Sequence, residues 1–346
     1  MKIVADENIP NVKHYFGFAD ELILKKGRKI NAADLVDADM LLVRSVTKVN
    51  QELLEESAVR FVGSATSGID HLDTKWLDQA GIVWAYAKGC NATAVVEYVI
   101  CVIAALQKMD ILPIKKLRAG VVGAGEIGAQ VVTQLEQLNF SVIQHDPIRA
   151  MNEKDFLSTP LEDFKDLDLI SFHTPLILDG LFPTYHMIKS KFLLQQKKNC
   201  ILINTSRGEV IDTSDLLEYG QSLYLCLDVW ESEPTINLQL LETALIATPH
   251  IAGYSVQSKL RGIEMIYKAA CELNIIPTTE MSAIEFPKQK NLFLPEKADW
   301  QDTVLSVFDP RITSDHMKKI LLGDSKITFD DLRKEFYQRN EFSYIL

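Results

Sequence analysis

Cysteine is scarce in this chain, with five residues (Cys90, Cys101, Cys200, Cys226 and Cys271) among 346. They are odd in number and mostly inside apolar runs. With neither a CxxC pair nor metal-ligand spacing, they argue against a disulfide scaffold or a bound metal, and for buried thiols in a reducing cytoplasm. Positive charge is also short: 36 Lys and Arg stand against 47 Asp and Glu, a formal charge of -11. Such a chain has no long-range attraction for nucleic acid or an anionic membrane, and any anionic substrate must be held by local cations. The one membrane-like stretch, residues 93–109, is short for a span and carries Glu97 near its start. The opening residues lack the apolar core and small-residue cleavage site of a signal peptide. Internal repeats and low-complexity tracts are lacking too, which removes repeat architectures from consideration.

What is present is enough apolar material, 47% of residues, to build two or three domains at this length. Short β-rich runs at 2–5, 40–43, 60–63 and 82–85 alternate with helix-like stretches, the rhythm of a small parallel α/β unit. Residues 93–109 then predict a helix apolar almost all round, which must pack between domains or subunits. Six further strand-like runs follow at 120–122, 141–144, 167–172, 201–204, 223–228 and 245–247. They match a doubly wound, Rossmann-type dinucleotide fold. A helical pattern over 256–273 carries the chain back to the first unit. Pro277 ends it, and beyond lies a proline-punctuated tail with an amphipathic pattern from Phe329. The expected division is 1–92 with 255–276, 93–254, and a third module at 277–346.

The second set of strands carries the chemistry. Gly123, Gly125 and Gly128 lie between a strand and a helix: the first permits a tight turn, the second lets backbone N–H groups approach a pyrophosphate, and the third lets helix and sheet pack closely. Asp146 ends the next strand, where its carboxylate can accept from ribose hydroxyls and repel a 2′-phosphate, favouring NAD over NADP. Arg207 falls just past the 201–204 strand, at the carboxyl edge where such sheets bind ligands. A guanidinium there can fork onto a substrate carboxylate, or else pair with Glu209 or Asp212 on the surface. His250 follows another strand and is the side chain suited to taking an alcohol proton near neutrality. Glu233, held extended by Pro234, can orient it. Glu231 competes for that role, and spacing alone does not separate the two.

Asp228-Val-Trp-Glu-Ser-Glu233-Pro, Asn204-Thr-Ser-Arg207-Gly and Pro249-His250-Ile-Ala-Gly253 resemble the signature segments of the D-2-hydroxyacid dehydrogenases. That resemblance implies NAD-dependent oxidation of a small 2-hydroxy acid, with Arg207, Glu233 and His250 at the family's catalytic positions. In its pattern the Glu before Pro pairs with the His, which selects Glu233. Segments 43–49, 65–71, 89–91, 173–176 and 250–255 are similar to a member that acts on a phosphorylated hydroxy acid. By that likeness Ser45, Thr66 and Tyr254 bind substrate, and Asp146, Thr174, Thr205, Ser206, Arg207, Asp228 and Gly253 serve the cofactor. The resemblance also implies a smaller flavodoxin-like α/β substrate domain and a shortened C-terminal α+β dimerisation module in a homodimer. A phosphate needs cations in an acidic chain: Arg44 and Lys48, flanking Ser45 and Thr47, are expected to supply them, joined by Arg339 of the tail, reaching across from a second subunit. The chain departs from the pattern at Thr205-Ser206, where a different small pair is usual, and over 288–324, which matches nothing in it. Phosphoglycerate- and glyoxylate-type dehydrogenases are the alternatives within the family. A NAD-sensing scaffold is the alternative outside it, and the presence of all three catalytic groups argues against that.

Overall fold

The computed structural model describes residues 1–277, 299–335 and 339–344. The chain forms two compact units, Met1–Asn91 with Ser255–Pro287 and Ala92–Tyr254 with Lys288–Leu346.

In the first unit, β1 (Lys2–Asp6), β2 (Glu21–Lys25), β3 (Met40–Val43), β4 (Phe61–Ser64) and β5 (Val83–Tyr86) form one parallel sheet in the order β2-β1-β3-β4-β5. Strands β3 and β4 are buried throughout, as strands covered on both faces must be. Leu35, Leu41, Leu54, Val62 and Leu77 pack on one face with α2 (Gln51–Leu54) and α3 (Thr74–Gln79). Ile3, Phe16, Phe61, Ile263 and Ile266 pack on the other, with α1 (Val12–Phe16) and α10 (Val256–Glu272). Ser255 opens α10 through a reciprocal cap with Ser258. Gly262 lets the helix approach, since a Cβ there would lie 2.7 Å from the Ala65 carbonyl oxygen. The strand order is the flavodoxin-like one, whose switch point falls between β1 and β3. Strand β2 had no clear sequence signal: its ELILK run is half-buried with an exposed acidic start at a sheet edge.

The second unit opens with α4 (Ala92–Lys108) and holds a six-stranded sheet in the order β11-β10-β9-β8-β6-β7. Its strands are β6 (Leu117–Val122), β7 (Phe140–His145), β8 (Leu169–Phe172), β9 (Ile201–Asn204), β10 (Tyr224–Leu227) and β11 (Ile246–Ala247), all parallel. Between them run α5 (Gly128–Gln137), α6 (Pro147–Asn152), α7 (Ser190–Leu194), α8 (Thr213–Tyr219) and α9 (Leu238–Thr243). The order reverses between β6 and β8, so the switch point lies beside the glycine loop.

Two expectations about this unit change. The all-round apolar surface of α4 is accounted for within its own unit: the helix lies in that unit's core with β6, β9 and β10, and Val304 and Phe308 of the tail belong to the same core. The described tail, in turn, is not a third body. It consists of α11 (Trp300–Val307), α12 (Pro310–Leu321), α13 (Phe329–Glu335) and a final helical turn, with no strand among the described residues. Its buried Met317, Phe329 and Leu332 join the core of the second unit, because so few apolar side chains cannot make a core of their own. Ser314 on α12 accepts the Ala247 N–H at 2.9 Å and so satisfies the edge strand β11. Residues 278–298, within the expected third module, lie outside the described residues.

Among the described residues no helix is long and apolar enough to cross a membrane, and no group of His, Cys, Asp and Glu could hold a metal. Burial pushes the thiols of Cys101, Cys200 and Cys226 up to about 12, which leaves them chemically inert.

Candidate active site

The loops after β6, β8, β9, β10 and β11 all leave the carboxyl edge of the second sheet, and each brings a residue singled out from the sequence. Gly123 has φ +88, and a Cβ on it would stand 2.8 Å from the His173–Thr174 peptide, so only glycine fits. A Cβ on Gly128 would lie 1.8 Å from the Gly123 carbonyl oxygen, whereas one on Gly125 would meet nothing within 4 Å. The outer two glycines close the turn; the middle one faces open space at the N-terminus of α5. Asp146 caps α6 through the Arg149 N–H and also accepts the Ala124 N–H, both at 2.9 Å. A carboxylate offers about four acceptor positions, so two remain for ribose hydroxyls. Arg149 donates to the Ala124 carbonyl and to Glu153 and lies over the Phe156 ring. It braces the loop rather than standing ready for a 2′-phosphate.

On the next loops, the Thr174 hydroxyl is buried with no hydrogen-bond partner among the described residues. Thr205 meets His173 Nδ1 at 3.2 Å, and the Ser206 N–H and hydroxyl both donate to Asn204. Burial pushes His173 down to about 3, so its ring is neutral. Ser206 is thus a support of the loop, its hydroxyl already engaged. Arg207 follows in extended conformation, its Nη1 donating to the Ser206 carbonyl at 2.7 Å. A Cβ on Gly208 would lie 1.9 Å from the Trp230 carbonyl carbon and 2.2 Å from the Glu231 nitrogen. The Arg207 and Glu233 loops are therefore pressed together backbone to backbone.

The choice between the two acids is decided by geometry. Glu231 accepts from His186 Nε2 at 2.8 Å and from the Thr213 N–H at 3.3 Å, and Asp212 sits 3.2 Å from the other nitrogen of the same ring. Glu233 Oε2 instead lies 2.7 Å from His250 Nδ1, while its Oε1 accepts the Trp230 N–H at 3.0 Å. Burial pushes the Glu233 carboxyl up, but the His250 ring, the Arg333 charge and the Trp230 N–H outweigh it and hold the group below its ordinary value. His250 is 31% exposed and has φ 55, a left-handed conformation that a non-glycine residue holds only when its surroundings impose it. Asp228 is one source of that constraint. It is 1% exposed and accepts from the Thr248 hydroxyl at 2.6 Å and from the Ile251 and Ala252 N–H groups, each at 2.8 Å. Sequence reasoning gave Asp228 to the cofactor. Its side chain is instead buried under the His250 turn, and burial raises its carboxyl above the usual value despite those donors.

The tail reaches the same turn. Arg333 donates to the Tyr254 hydroxyl at 2.8 Å with its guanidinium 5.5 Å from that ring centre. Arg339 donates to the carbonyls of Ala252, Tyr254 and Ala94. The expected role of Arg339, reaching a phosphate from a second subunit, does not fit this placement, because its donors serve carbonyls of its own chain. Gly253 lies inside the clamped turn.

The substrate-side residues belong to the first unit, at the carboxyl edge of its own sheet. Arg44 leaves β3 at the switch point, but its Nε and Nη2 fork onto fully buried Asp6 at 2.9 and 3.3 Å. The expectation that Arg44 supplies a cation to the phosphate meets a competitor here, because a buried carboxylate already holds its guanidinium. Ser45 and Lys48 are exposed. Thr66 lies 2.9 Å from Ser64, which in turn lies 2.9 Å from His71 Nε2. Asp6 escaped the sequence reading although an acid ending the first strand of a doubly wound sheet was a usable signal.

The comparisons with known proteins agree with this geometry. Residues 100–252 match the model for the D-isomer specific 2-hydroxyacid dehydrogenase, NAD binding domain. An erythronate-4-phosphate dehydrogenase of Coxiella burnetii is 46% identical over 347 residues, covering 100% of this chain and 94% of that one. The chain belongs to the D-isomer specific 2-hydroxyacid dehydrogenases. A second relative of the same name, from Pseudomonas syringae pv. syringae, is 41% identical over 99% of this dehydrogenase and 93% of its own length. The solved D-lactate dehydrogenase of Aquifex aeolicus, complexed with NAD and lactic acid, has a TM-score of 0.67 at 24% identity, over 79% of this chain and 96% of that one. The NAD-bound 3-phosphoglycerate dehydrogenase of Entamoeba histolytica has a TM-score of 0.66 at 22% identity, over 83% and 99%. These two structures share the fold.

NAD is the cofactor of this dehydrogenase, which acts on a small hydroxy acid, and the residues present fit it. The open face of Gly125 beside the α5 N-terminus suits a pyrophosphate, the two remaining acceptor positions on Asp146 suit ribose hydroxyls, and the unpartnered Thr174 hydroxyl offers a further polar contact.

Proposed function

We propose that this NAD-dependent dehydrogenase oxidises the C2 alcohol of 4-phospho-D-erythronate to (R)-3-hydroxy-2-oxo-4-phosphooxybutanoate, a step in pyridoxine and pyridoxal 5′-phosphate biosynthesis. The observation that carries this reading is the Glu233–His250 pair within a chain that aligns over nearly its whole length with relatives named for that substrate. Because Glu233 occupies Nδ1, His250 takes the hydroxyl proton on Nε2, and the carboxylate stabilises the imidazolium that forms. Arg207 holds the substrate carboxylate and the C2 oxygen. Bound NAD supplies the acceptor for the C2 hydride. Tyr254, with its hydroxyl set by Arg333, and Ser45, Thr66 and Lys48 bind the rest of the substrate. The homodimeric state and a cytoplasmic location belong to the same proposal, and five unpaired thiols suit a reducing compartment.

Steady-state kinetics with 4-phosphoerythronate, erythronate, 3-phosphoglycerate and glycerate test it. Two charge-assisted hydrogen bonds to the phosphate, at roughly 1.5–3 kcal/mol each, predict at least about a hundredfold higher kcat/KM for 4-phosphoerythronate than for erythronate. Comparable values would reject the substrate. A preference for 3-phosphoglycerate would move the protein to a sister activity of the same family.

A further inference from the structure

The turn that carries His250 is gripped from two directions by groups of opposite polarity. Asp228 takes the N–H groups of Ile251 and Ala252 on one side. On the other, a residue of the tail takes the carbonyls: Arg339 Nη2 donates to Ala252 O at 2.7 Å and to Ala94 O at 3.0 Å, and its Nε donates to Tyr254 O at 2.9 Å. The same guanidinium lies 5.0 Å from the ring centre of Phe308, and the chain just beyond it is tied down by the Phe342 N–H donating to Glu97 at 2.8 Å. A planar guanidinium can satisfy several carbonyls at once with fixed directions, which an ammonium cannot. Arg339 thus joins the first turn of α4, the end of the catalytic turn and the aromatic face of the tail at one point.

We propose that Arg339 is a positioning residue for the catalytic histidine, through which the last residues of the chain hold the 250–254 turn at the setting that chemistry needs. Arg333, also on the tail, meets the Tyr254 side chain rather than the backbone. His250 sits at φ 55, so it has a relaxed alternative to move into when the carbonyl side is released. A displacement of about 1 Å at a catalytic group costs on the order of a hundredfold in rate. The inference rests on the reading of His250 as the proton acceptor.

The test replaces Arg339 in the full-length protein by Met, which keeps bulk without donors, by Ala and by Lys, with His250→Gln as control. Readouts are kcat, KM, the NAD dissociation constant and the thermal midpoint. We expect Arg339→Met to lose roughly tenfold to a hundredfold in kcat with NAD binding unchanged, Arg339→Lys to recover part of the loss, and millimolar guanidinium to restore kcat in Arg339→Ala. A kcat for Arg339→Met equal to that of the parent overturns the proposal. So does a fall in kcat matched by a loss of NAD affinity and no guanidinium rescue, which marks a merely structural role. If Met and Ala fail to fold, Arg339→Lys decides alone: a folded Lys variant with full kcat overturns the proposal, and one with reduced kcat and intact NAD binding supports it. If His250→Gln retains full turnover, the reading of His250 fails, independently of what the Arg339 variants do.

Discussion

Around His250, in the second unit, the ring and both sides of its turn are held by groups from other segments. Glu233 holds the ring, Asp228 holds the N–H side of the turn, Arg339 holds its carbonyl side, and Gly208 lets the Arg207 loop press on the loop of Glu233. The carboxyl edge of the first unit's sheet is built otherwise. There one cation, Arg44, is forked onto a buried acid, while Lys48 and Ser45 stand exposed without such bracing. Proton transfer needs a geometry set before substrate arrives, because each kilocalorie of misalignment enters the rate directly. Anion binding tolerates looser side chains that settle on the ligand.

The sharpest way to break this contrast is to remove His250, the proposed proton acceptor. His250→Ala should lower kcat by about 10²–10⁴-fold, the usual worth of general acid–base catalysis, while NAD affinity measured by fluorescence titration stays the same. Glu233→Gln should cost less, since it acts through the ring, and it carries a stability signature. Because the folded protein holds Glu233 below its ordinary value of 4.5, the carboxylate contributes stability that is complete above that pH and is lost as pH falls through the lowered value. The thermal midpoint of the parent should therefore exceed that of Glu233→Gln near neutrality and converge with it in acid. A constant gap across that range would show that the pair with His250 adds nothing.

In the first unit the expected effects are smaller in rate and larger in fold. Arg44→Ala strands buried Asp6, at a cost of about 3–5 kcal/mol, so its thermal midpoint should drop whatever happens to catalysis. Lys48→Ala carries no such penalty. It should lower kcat/KM for the phosphorylated substrate by about tenfold and leave the unphosphorylated one unaffected, as expected for one charge-assisted contact. If both substrates fall equally, Lys48 has no part in the phosphate site. Of the same size, in the second unit, Asp146→Ala should raise the KM for NAD by about tenfold, one charged hydrogen bond's worth, and narrow the gap to NADP. Equal use of both cofactors by the unaltered protein would remove Asp146 from the ribose site.

Much of this contrast was legible in the sequence where chemistry imposes spacing. The glycine loop, Asp146, Arg207 and the His250 strand end were found because a parallel sheet puts strand ends on one edge, and strand β9 was read to the residue. Glu233 was separated from Glu231 by resemblance alone, and the structure supplies the physical reason in the His186 pairing of Glu231. What escaped was long-range. No local pattern says that Asp6 will fork Arg44 across 38 positions, or that Arg339 will reach back 87 residues to Ala252. The expectation that the tail stands apart failed for a related reason. Its helices are amphipathic at the local scale, and only the fold reveals that their apolar faces complete α4 and β11 rather than one another.

The missing side chain at position 208 has a consequence for anyone reshaping substrate preference. With the Trp230–Glu231 backbone less than 2.5 Å from where a Cβ would stand, the segment bearing Arg207 and the segment bearing Glu233 cannot be lengthened, shifted or transplanted one at a time. They form a single cassette, to be exchanged together with their shared contact or left alone.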